Sequence, residues 1–489
     1  MTSEAAVEGP PQGVGPILYF RDLEGERLRL AALIVRPKDA APAAVATDLD
    51  GAVGPRALMD GTDRDGRAWR AWGYEMRLPA RAGAVYRVDG ETIPVDAGFA
   101  GDLRLAYVSC NGREDGDHLR DLDERDAMWR RLGAEHGRAP FHLLLHGGDQ
   151  LYADEVLEAH PALSAWRKRS RPKEVAPEIA EEAAEAARQA LFTRYLEVLG
   201  HPAFAWIAAR VPSLAMWDDH DICDGWGSMP AVKLDTRIGE ALFETARRHF
   251  LTFQMGADPD GPPPAPCLDE TGRSLTWSAR LPDLTLVAPD LRSERRPWRV
   301  MGKRGWAAFD RALQEAAPGR TLVLSSVPAL GPRLSWIEAV MILTPSMQKY
   351  EDDLRDQWQS RAHRAEWTRF LARLIDRHEG AESPVTLLSG EIHLAGRATM
   401  ASAAGPVHQL IASGIAHPPP PRGFARGLGL LAKLGEAPLP AHPIAFHPLP
   451  GRSAVYAAQR NYLVLERRNG AWRAEWELEE SGRTPALAL

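Results

Sequence analysis

Three cysteines in 489 residues are too few to staple a chain of this length, so Cys110, Cys223 and Cys267 read as reduced thiols. Long apolar runs are missing too, and none approaches the roughly 18 residues that a membrane helix needs. The opening MTSEAAVEGPPQGVGP lacks the basic and apolar regions of a secretory leader. These absences predict a soluble, cytoplasmic chain with no membrane span. There is no surplus of positive charge either. With 59 Lys and Arg against 66 Asp and Glu, the formal net charge is −7, so a polyanionic partner would need a local basic patch. The densest basic run, Arg167-Lys168-Arg169-Ser170-Arg171, precedes an acidic segment from Glu174 to Glu185 and reads as a solvated face. Fifteen tryptophans without a basic groove suit a core better than base stacking, and no nucleic acid scaffold is expected. The GxSxG elbow, the P-loop, HExxH, GxGxxG and paired CxxC are all absent, which removes the nucleophile elbow, the nucleotide cradles and the common zinc sites.

What is present is an ordinary globular composition, 45% hydrophobic and 26% charged, at a length that suggests two or three units. Residues 1–98 carry β-type segments: Pro16 to Phe20, Leu28 to Val35, Trp72 to Leu78 and Ala84 to Val88, with Asp89-Gly90 as a turn. They predict a small antiparallel, sandwich-like β domain. From Leu103 the pattern changes to short apolar strands, each followed by a helical stretch, which indicates an α/β unit over residues 99–489. The predicted strands are Leu103 to Val108, Phe141 to Leu145, Ser213 to Trp217, Leu284 to Ala288, Leu322 to Ser325 and Val385 to Leu388. The predicted helices run from Pro177 to Leu199, Arg237 to Met255 and Gln348 to His378. Residues 418–450, rich in Pro and Gly, read as a long loop or lid. Asn461 to Glu466 and Trp472 to Leu478, joined by Asn469-Gly470, read as a terminal hairpin.

Four of the strands end in reactive residues: Ser109-Cys110-Asn111-Gly112, Gly148-Asp149-Gln150-Leu151-Tyr152, Trp217-Asp218-Asp219-His220-Asp221 and Ser389-Gly390-Glu391-Ile392-His393. Open α/β sheets place chemistry beyond the carboxyl ends of their strands, so these groups are expected on one rim. Several carboxylates gathered at an apolar edge repel one another and lose solvation unless cations neutralise them. An oxygen-rich set with imidazole suits Fe, Mn, Ca, Mg or Zn, and thiolate and phenolate favour ferric iron.

In this order, SCNG, GGDQLYADE, WDDHD and LSGEIH resemble the alkaline phosphatase D (PhoD-like) branch of the metallophosphoesterases. Asp290-Leu291-Arg292-Ser293 and Asp356-Gln357-Trp358 add to the resemblance, which runs from about Leu103 to Pro418. It implies a layered α/β/β/α sandwich preceded by a small antiparallel β domain. It also implies a metal-dependent phosphoric ester hydrolase holding two or more ions, Fe with Ca or else Zn or Mn. Carried over by motif, Asp149 would bridge the metals, Cys110 and Tyr152 would bind iron, and Glu391 and His393 would complete the ligand set. Asp219 would touch the second metal and the phosphate, a metal-held hydroxide would attack phosphorus, and His220 would protonate the leaving oxygen. Asn111 and Arg292 would contact a small-molecule phosphate ester substrate. Family members are often exported, which sits against the cytoplasmic expectation. Two departures stand out. Residues 222–227 replace an asparagine-rich segment, so the ligand there is Asp224 or none, and Glu stands at 391 where Asp is commoner. Phosphodiesterase or phospholipase-type action, or a metal-binding sensor that has lost turnover, are the alternatives. Substrate and oligomeric state are open.

Plainer roles compete at several positions. Cys223 reads as structural and His146 as a core histidine. Asp154 and Glu155 are balanced between helix capping and metal binding. Arg292 is balanced between a bidentate phosphate clamp and a surface ion pair. Asp352, Asp353 and Asp356, spaced with Arg355, read as a charged helix face, with Asp356 also fitting the family pattern.

Overall fold

Alternation of side chains along three short strands sets the architecture. In a computed structural model, which describes residues 13–331, 356–380 and 383–489, the strands Leu103–Val108, Leu143–Gly147 and Ser213–Met216 lie side by side in parallel. Leu105, Tyr107, Leu143, Leu145, Leu214 and Met216 belong to one apolar cluster, shared with the strands of a second sheet. The intervening Ala106, Val108, Leu144 and Ala215 belong to another, shared with the helices Ala127–Arg138, Pro177–Leu199, Pro202–Ala208 and Arg237–Phe253. Successive residues of a strand point to opposite faces, so one face meets a sheet and the other meets helices.

The second sheet runs in the order Trp277–Leu281, Leu284–Ala288, Arg320–Ser325, Val385–Ser389, Val407–Ile411, Ala395–Met400 and Ile444–His447. Its middle four strands are parallel. The helices Lys303–Gln314 and Arg364–His378 pack on this sheet, with Phe309, Trp367 and Phe370 in the same core. Helix, sheet, sheet and helix thus stack as an α/β/β/α sandwich. Indole hydrogen bonds tie the sheets together: Trp277 Nε1 donates to Ala215 O and Trp476 Nε1 to Ile411 O, both at 2.8 Å.

The N-terminal antiparallel β region has two parts. Gly51–Val53, Val45–Thr47, Ala84–Val88 and Glu91–Val95 form a sheet of their own. Val14–Glu24, Arg27–Pro37, Ala68–Pro79 and Arg56–Thr62 instead extend the first large sheet, because Val14–Glu24 runs parallel to Ser213–Met216 with Tyr19 opposite Ser213. Ser213 Oγ also donates to Leu18 O at 2.8 Å. On the opposite side Asn461–Arg468 pairs with Leu103–Val108 and carries Ala471–Leu478 beyond it, so the terminal hairpin is part of the same sheet.

Two expectations are corrected. Residues 418–450 are not a continuous loop: they hold the helix Arg422–Ala432 and the strand Ile444–His447. Gly423, Gly427 and Gly429 hid the helix, whose inner face needs small residues; Ala425, Gly429 and Ala432 are its buried positions, and a Cβ at 429 would already touch Val455. Within the described residues the predicted helix to His378 is interrupted at Ser360 (ψ 142°) and a short 3-10 turn, and its last stretch runs Arg364–His378. Gln348, Asp352, Asp353 and Arg355 lie outside the described residues.

Candidate functional site

The four reactive strand ends meet at one rim, and the chain bends sharply to bring them there. Among the described residues, seven non-glycine positions have positive φ. Three are turn residues, and the other four are Cys110 (56°), Asp149 (54°), Glu391 (64°) and His393 (53°). Left-handed backbone at such residues costs about 1–3 kcal/mol each, and it persists where surrounding structure over-determines it. The glycine pair before Asp149 has a steric cause. A Cβ on Gly147 would collide with the Tyr107 hydroxyl. One on Gly148 (φ 103°) would lie 2.8 Å from the Asp218 Cβ and 3.1 Å from the Ser326 Cβ. Gly148→Ala is therefore expected to displace Asp218 and to lower metal content at least several-fold, read by elemental analysis against circular dichroism of the same sample. Undiminished metal in a folded variant would contradict the close-approach argument.

Asp221 locks two of these turns together. Its Oδ2 accepts from Asp149 N (3.0 Å) and Asp218 N (2.9 Å), and its Oδ1 from Leu151 N (3.0 Å) and Gln254 Nε2 (2.7 Å). Burial raises its pKa to about 7 against the opposing pull of those donors.

Asp149, Asp218 and Asp219 offer carboxylate oxygens within 4.8 Å of one another, all buried. Cys110 Sγ donates to Asp149 Oδ2 at 3.5 Å and lies 3.2 Å from Ser413 Oγ. Among the described residues, the buried polar atoms here without a hydrogen-bond partner include Tyr152 OH, Asp218 Oδ2 and His393 Nδ1. Buried polar groups are seldom left so. Burial, then the Asp218 and Asp219 carboxylates, push the Asp149 pKa well up, and burial with Asp149 does the same to Cys110. Burial, Cys110 and Asp149 raise Tyr152. A multivalent cation among these groups would reverse each shift and supply the missing partners, so the donor set fits one. A second group, Glu114, His393 and His417, adjoins it.

His220 Nδ1 pairs with Asp154 Oδ2 at 2.7 Å, while Asp154 Oδ1 accepts from Asp224 N at 2.8 Å. Asp154 is thus neither a helix cap nor a member of the carboxylate group; it orients an imidazole. Burial opposes a charge on His220, but Asp154 and Asp219 outweigh it and raise the pKa. The rings of His393 and His417 stack at 3.5 Å, His417 lies 5.5 Å from Tyr152, and Tyr152 stacks on His220 at 4.3 Å.

Two residues expected to touch substrate are buried with protein partners of their own. Arg292 is 0% exposed, and its donors are consumed by Asp218 (from Nε), Asp356 (from both Nη atoms), Asp219 (3.2 Å) and Trp226 O (3.1 Å). A guanidinium has five N–H groups, so none is left for a phosphate. Arg292 is neither clamp nor surface pair but the counter-ion of buried acids, and Asp290 fixes its turn by accepting from Arg292 N and Ser293 N (both 3.0 Å). Asn111 is buried, with Oδ1 accepting from Trp129 Nε1 at 2.7 Å and Nδ2 donating to Gln150 O at 3.4 Å. Glu391 reaches the rim, where Gln357 Nε2 donates to both its oxygens at 2.8 Å, but it joins none of the close groups among the described residues. Cys223 and His146 are core residues, the latter against Trp129 and Phe204.

The rim opens on a cavity of about 340 Å³ whose lining includes Glu114, Asp149, Asp219, His220, Asp224, Glu391 and His393 together with Pro328, Leu330, Pro420, Phe424, Leu428 and Tyr456. Among the described residues, no helix is long and apolar enough to cross a membrane.

Comparison with known proteins agrees with the motifs. Residues 115–349 match a family described as PhoD related phosphatase. A curated protein of Saccharomyces cerevisiae, itself uncharacterized, is 25% identical over 399 residues, covering 68% of this chain and 56% of the yeast protein, so the chain spans little more than half of that relative. A solved structure of PhoD superposes with a TM-score of 0.55 at 12% identity, over 99% of this chain and 90% of the other, which shows the shared fold.

Proposed function

From the match of residues 115–349 to the PhoD related phosphatases, we propose that this protein is a metal-dependent phosphoric ester hydrolase. The observation that carries the proposal is the buried trio Asp149, Asp218 and Asp219 beside the Cys110 thiol and the unpartnered Tyr152 hydroxyl. Asp149, Asp219, Cys110, Tyr152 and His393 would hold the ions, with Asp218 added to that set and Glu391 or Asp224 at its edge. Two bound cations would activate water and spread the charge of the phosphoryl oxygens. His220, held by Asp154 through Nδ1, keeps Nε2 at the cavity wall, 4.0 Å from Glu114 Oε1, in position to give a proton to the departing alkoxide.

The test is elemental analysis of untreated protein together with hydrolysis of para-nitrophenyl phosphate and its bis ester. More than one equivalent of metal and chelator-sensitive turnover are expected, and the ratio of the two rates separates monoesterase from diesterase action. Bound metal with no turnover on either ester would leave the sensor reading instead. His220→Ala should keep its metal and lose roughly 10²- to 10⁴-fold on alkyl phosphates, where the leaving group needs a proton, but far less on the nitrophenyl ester. Equal losses on both would remove His220 as the acid.

A further inference from the structure

The helix Arg422–Ala432 turns its large apolar residues outward. Its buried positions, Ala425, Gly429 and Ala432, are small, and they lie against Val455 and Tyr456. Leu430, by contrast, is 65% exposed, Phe424 59%, and Leu434, in the turn that follows, 74%. At about 100° of rotation per residue, Leu430 and Leu434 fall on the side away from the buried stripe. Gly423 and Gly427 share that side, and among the described residues an added Cβ on either would meet nothing within 4 Å. A helix that only covers a core points its apolar stripe inward. Here the order is inverted, and the leucines stand on an open, convex ridge.

Charge is sorted along the same element. Arg422, Arg426 and Lys433 are spaced by four and seven residues, which sets them in one row along an edge of the apolar ridge. All three are exposed, and Lys433 keeps helical backbone (φ −66°, ψ −18°). Arg422 also pairs with Glu480, but that pair is open to water on both sides and is worth little. No Asp or Glu occurs between Glu391 and Glu436, in a chain where acids outnumber bases.

An apolar ridge edged by a row of cations suits a helix lying in a lipid–water interface, with its apolar side chains among acyl chains and its cations at anionic headgroups. A protein partner would need a groove shaped to the ridge and acids in register with the cations, whereas a headgroup layer meets both without register. We propose that the segment from Arg422 to Leu434 docks this protein on the surface of an anionic bilayer. The helix lies along that surface and does not cross it. Phe424 and Leu428 also belong to the lining of the cavity at the acidic rim, so the docked molecule holds that cavity beside the headgroups. The docking stands apart from the hydrolase reading and does not depend on it.

Flotation of the full chain with vesicles tests it, using phosphatidylcholine alone and an equimolar mixture of phosphatidylcholine and phosphatidylserine. Binding to the mixed vesicles should exceed binding to the neutral ones and should fall as salt is raised. Arg426→Ser with Lys433→Ser should lower partitioning onto the mixed vesicles roughly 25-fold, about fivefold per cation. Leu430→Ser with Leu434→Ser should lower it by about tenfold or more. All four positions are exposed, so the circular dichroism and melting of both variants should match the parent. Equal flotation with both kinds of vesicle would overturn the role of the cations. A parent that stays behind, or a leucine variant that floats as the parent does, would overturn the docking surface. A parent that sediments as a dimer, and a leucine variant that sediments as a monomer, would assign the ridge to a second copy of the chain and overturn it as well.

Discussion

Asp149→Asn is expected to lose tightly bound metal and turnover together while the fold survives. The replacement keeps the shape of the side chain, and the backbone bonds at this position are untouched: Asp149 N donates to Asp221 Oδ2, and Asp149 O accepts from Asn111 N at 2.8 Å. What disappears is one charge from a buried set of three carboxylates and an acceptor shared with the Cys110 thiol. Mutating groups that merely orient metal ligands lowers affinity by roughly 10- to 100-fold, so removal of Asp149, if it bridges two ions as proposed, should exceed about 100-fold. Stability should move the other way in metal-free protein. Burial and the neighbouring acids raise the folded-state pKa of Asp149, so its ionised form opposes folding at neutral pH, and that penalty falls away below the raised pKa. The asparagine variant, stripped of metal, should resist urea at least as well as the parent at pH 7. Elemental analysis and urea midpoints read both effects; full metal content in the variant would end the shared-ligand role.

Arg292→Met should be the most damaging change to stability. With the guanidinium gone, Asp218 and Asp219 lose their nearby cation. Among the described residues, Asp356 keeps Ser228 Oγ (2.6 Å) and a more distant Arg295 (3.5 Å). Breaking a buried pair from one side costs about 3–5 kcal/mol, because the remaining charge stays out of water. The Asp356 pKa is held low against burial by Arg292 and Arg295; without Arg292 burial should push it up, so mild acidification should relieve the variant, whereas the parent loses this stabilisation only as the pH falls through the depressed pKa. A urea midpoint equal to the parent's at neutral pH would refute the counter-ion role. Arg292→Lys retains a charge but only three donors, and it should fall between the two.

The strand ends were readable because each follows an apolar run, and the parallel strands bring such ends to one rim by geometry alone. That reasoning located Cys110, Asp149, Tyr152, Asp219, His220, Glu391 and His393 at a common rim. It missed His417 for a specific reason. The strand before it, Val407–Ile411, contains Gln409, which is buried but satisfied by Leu330 N and O at 2.7 Å each, so the run did not look like a core strand. Asp154, Asp218 and Asp221 sat inside the quoted motifs, yet their separate tasks depend on partners far away in the chain: His220, Ser326 and Gln254. Arg292 was misjudged because neither a clamp nor a surface pair requires knowing that three acids lie beneath the rim. The N-terminal strands were legible as antiparallel pairs, whereas the parallel contact between Tyr19 and Ser213 has no local signature.

That contact and its counterpart across the sheet have a consequence for biosynthesis. The strand carrying Cys110 is covered along one side only by Asn461–Arg468, and Tyr462 OH bonds Glu135 Oε2 across 327 positions of sequence. A ribosome must therefore release Asn461–Arg468 before the Leu103–Val108 side of the reactive strands is paired. Until then Leu103–Val108 presents unpaired amides and carbonyls, the kind of border that invites pairing with other nascent chains.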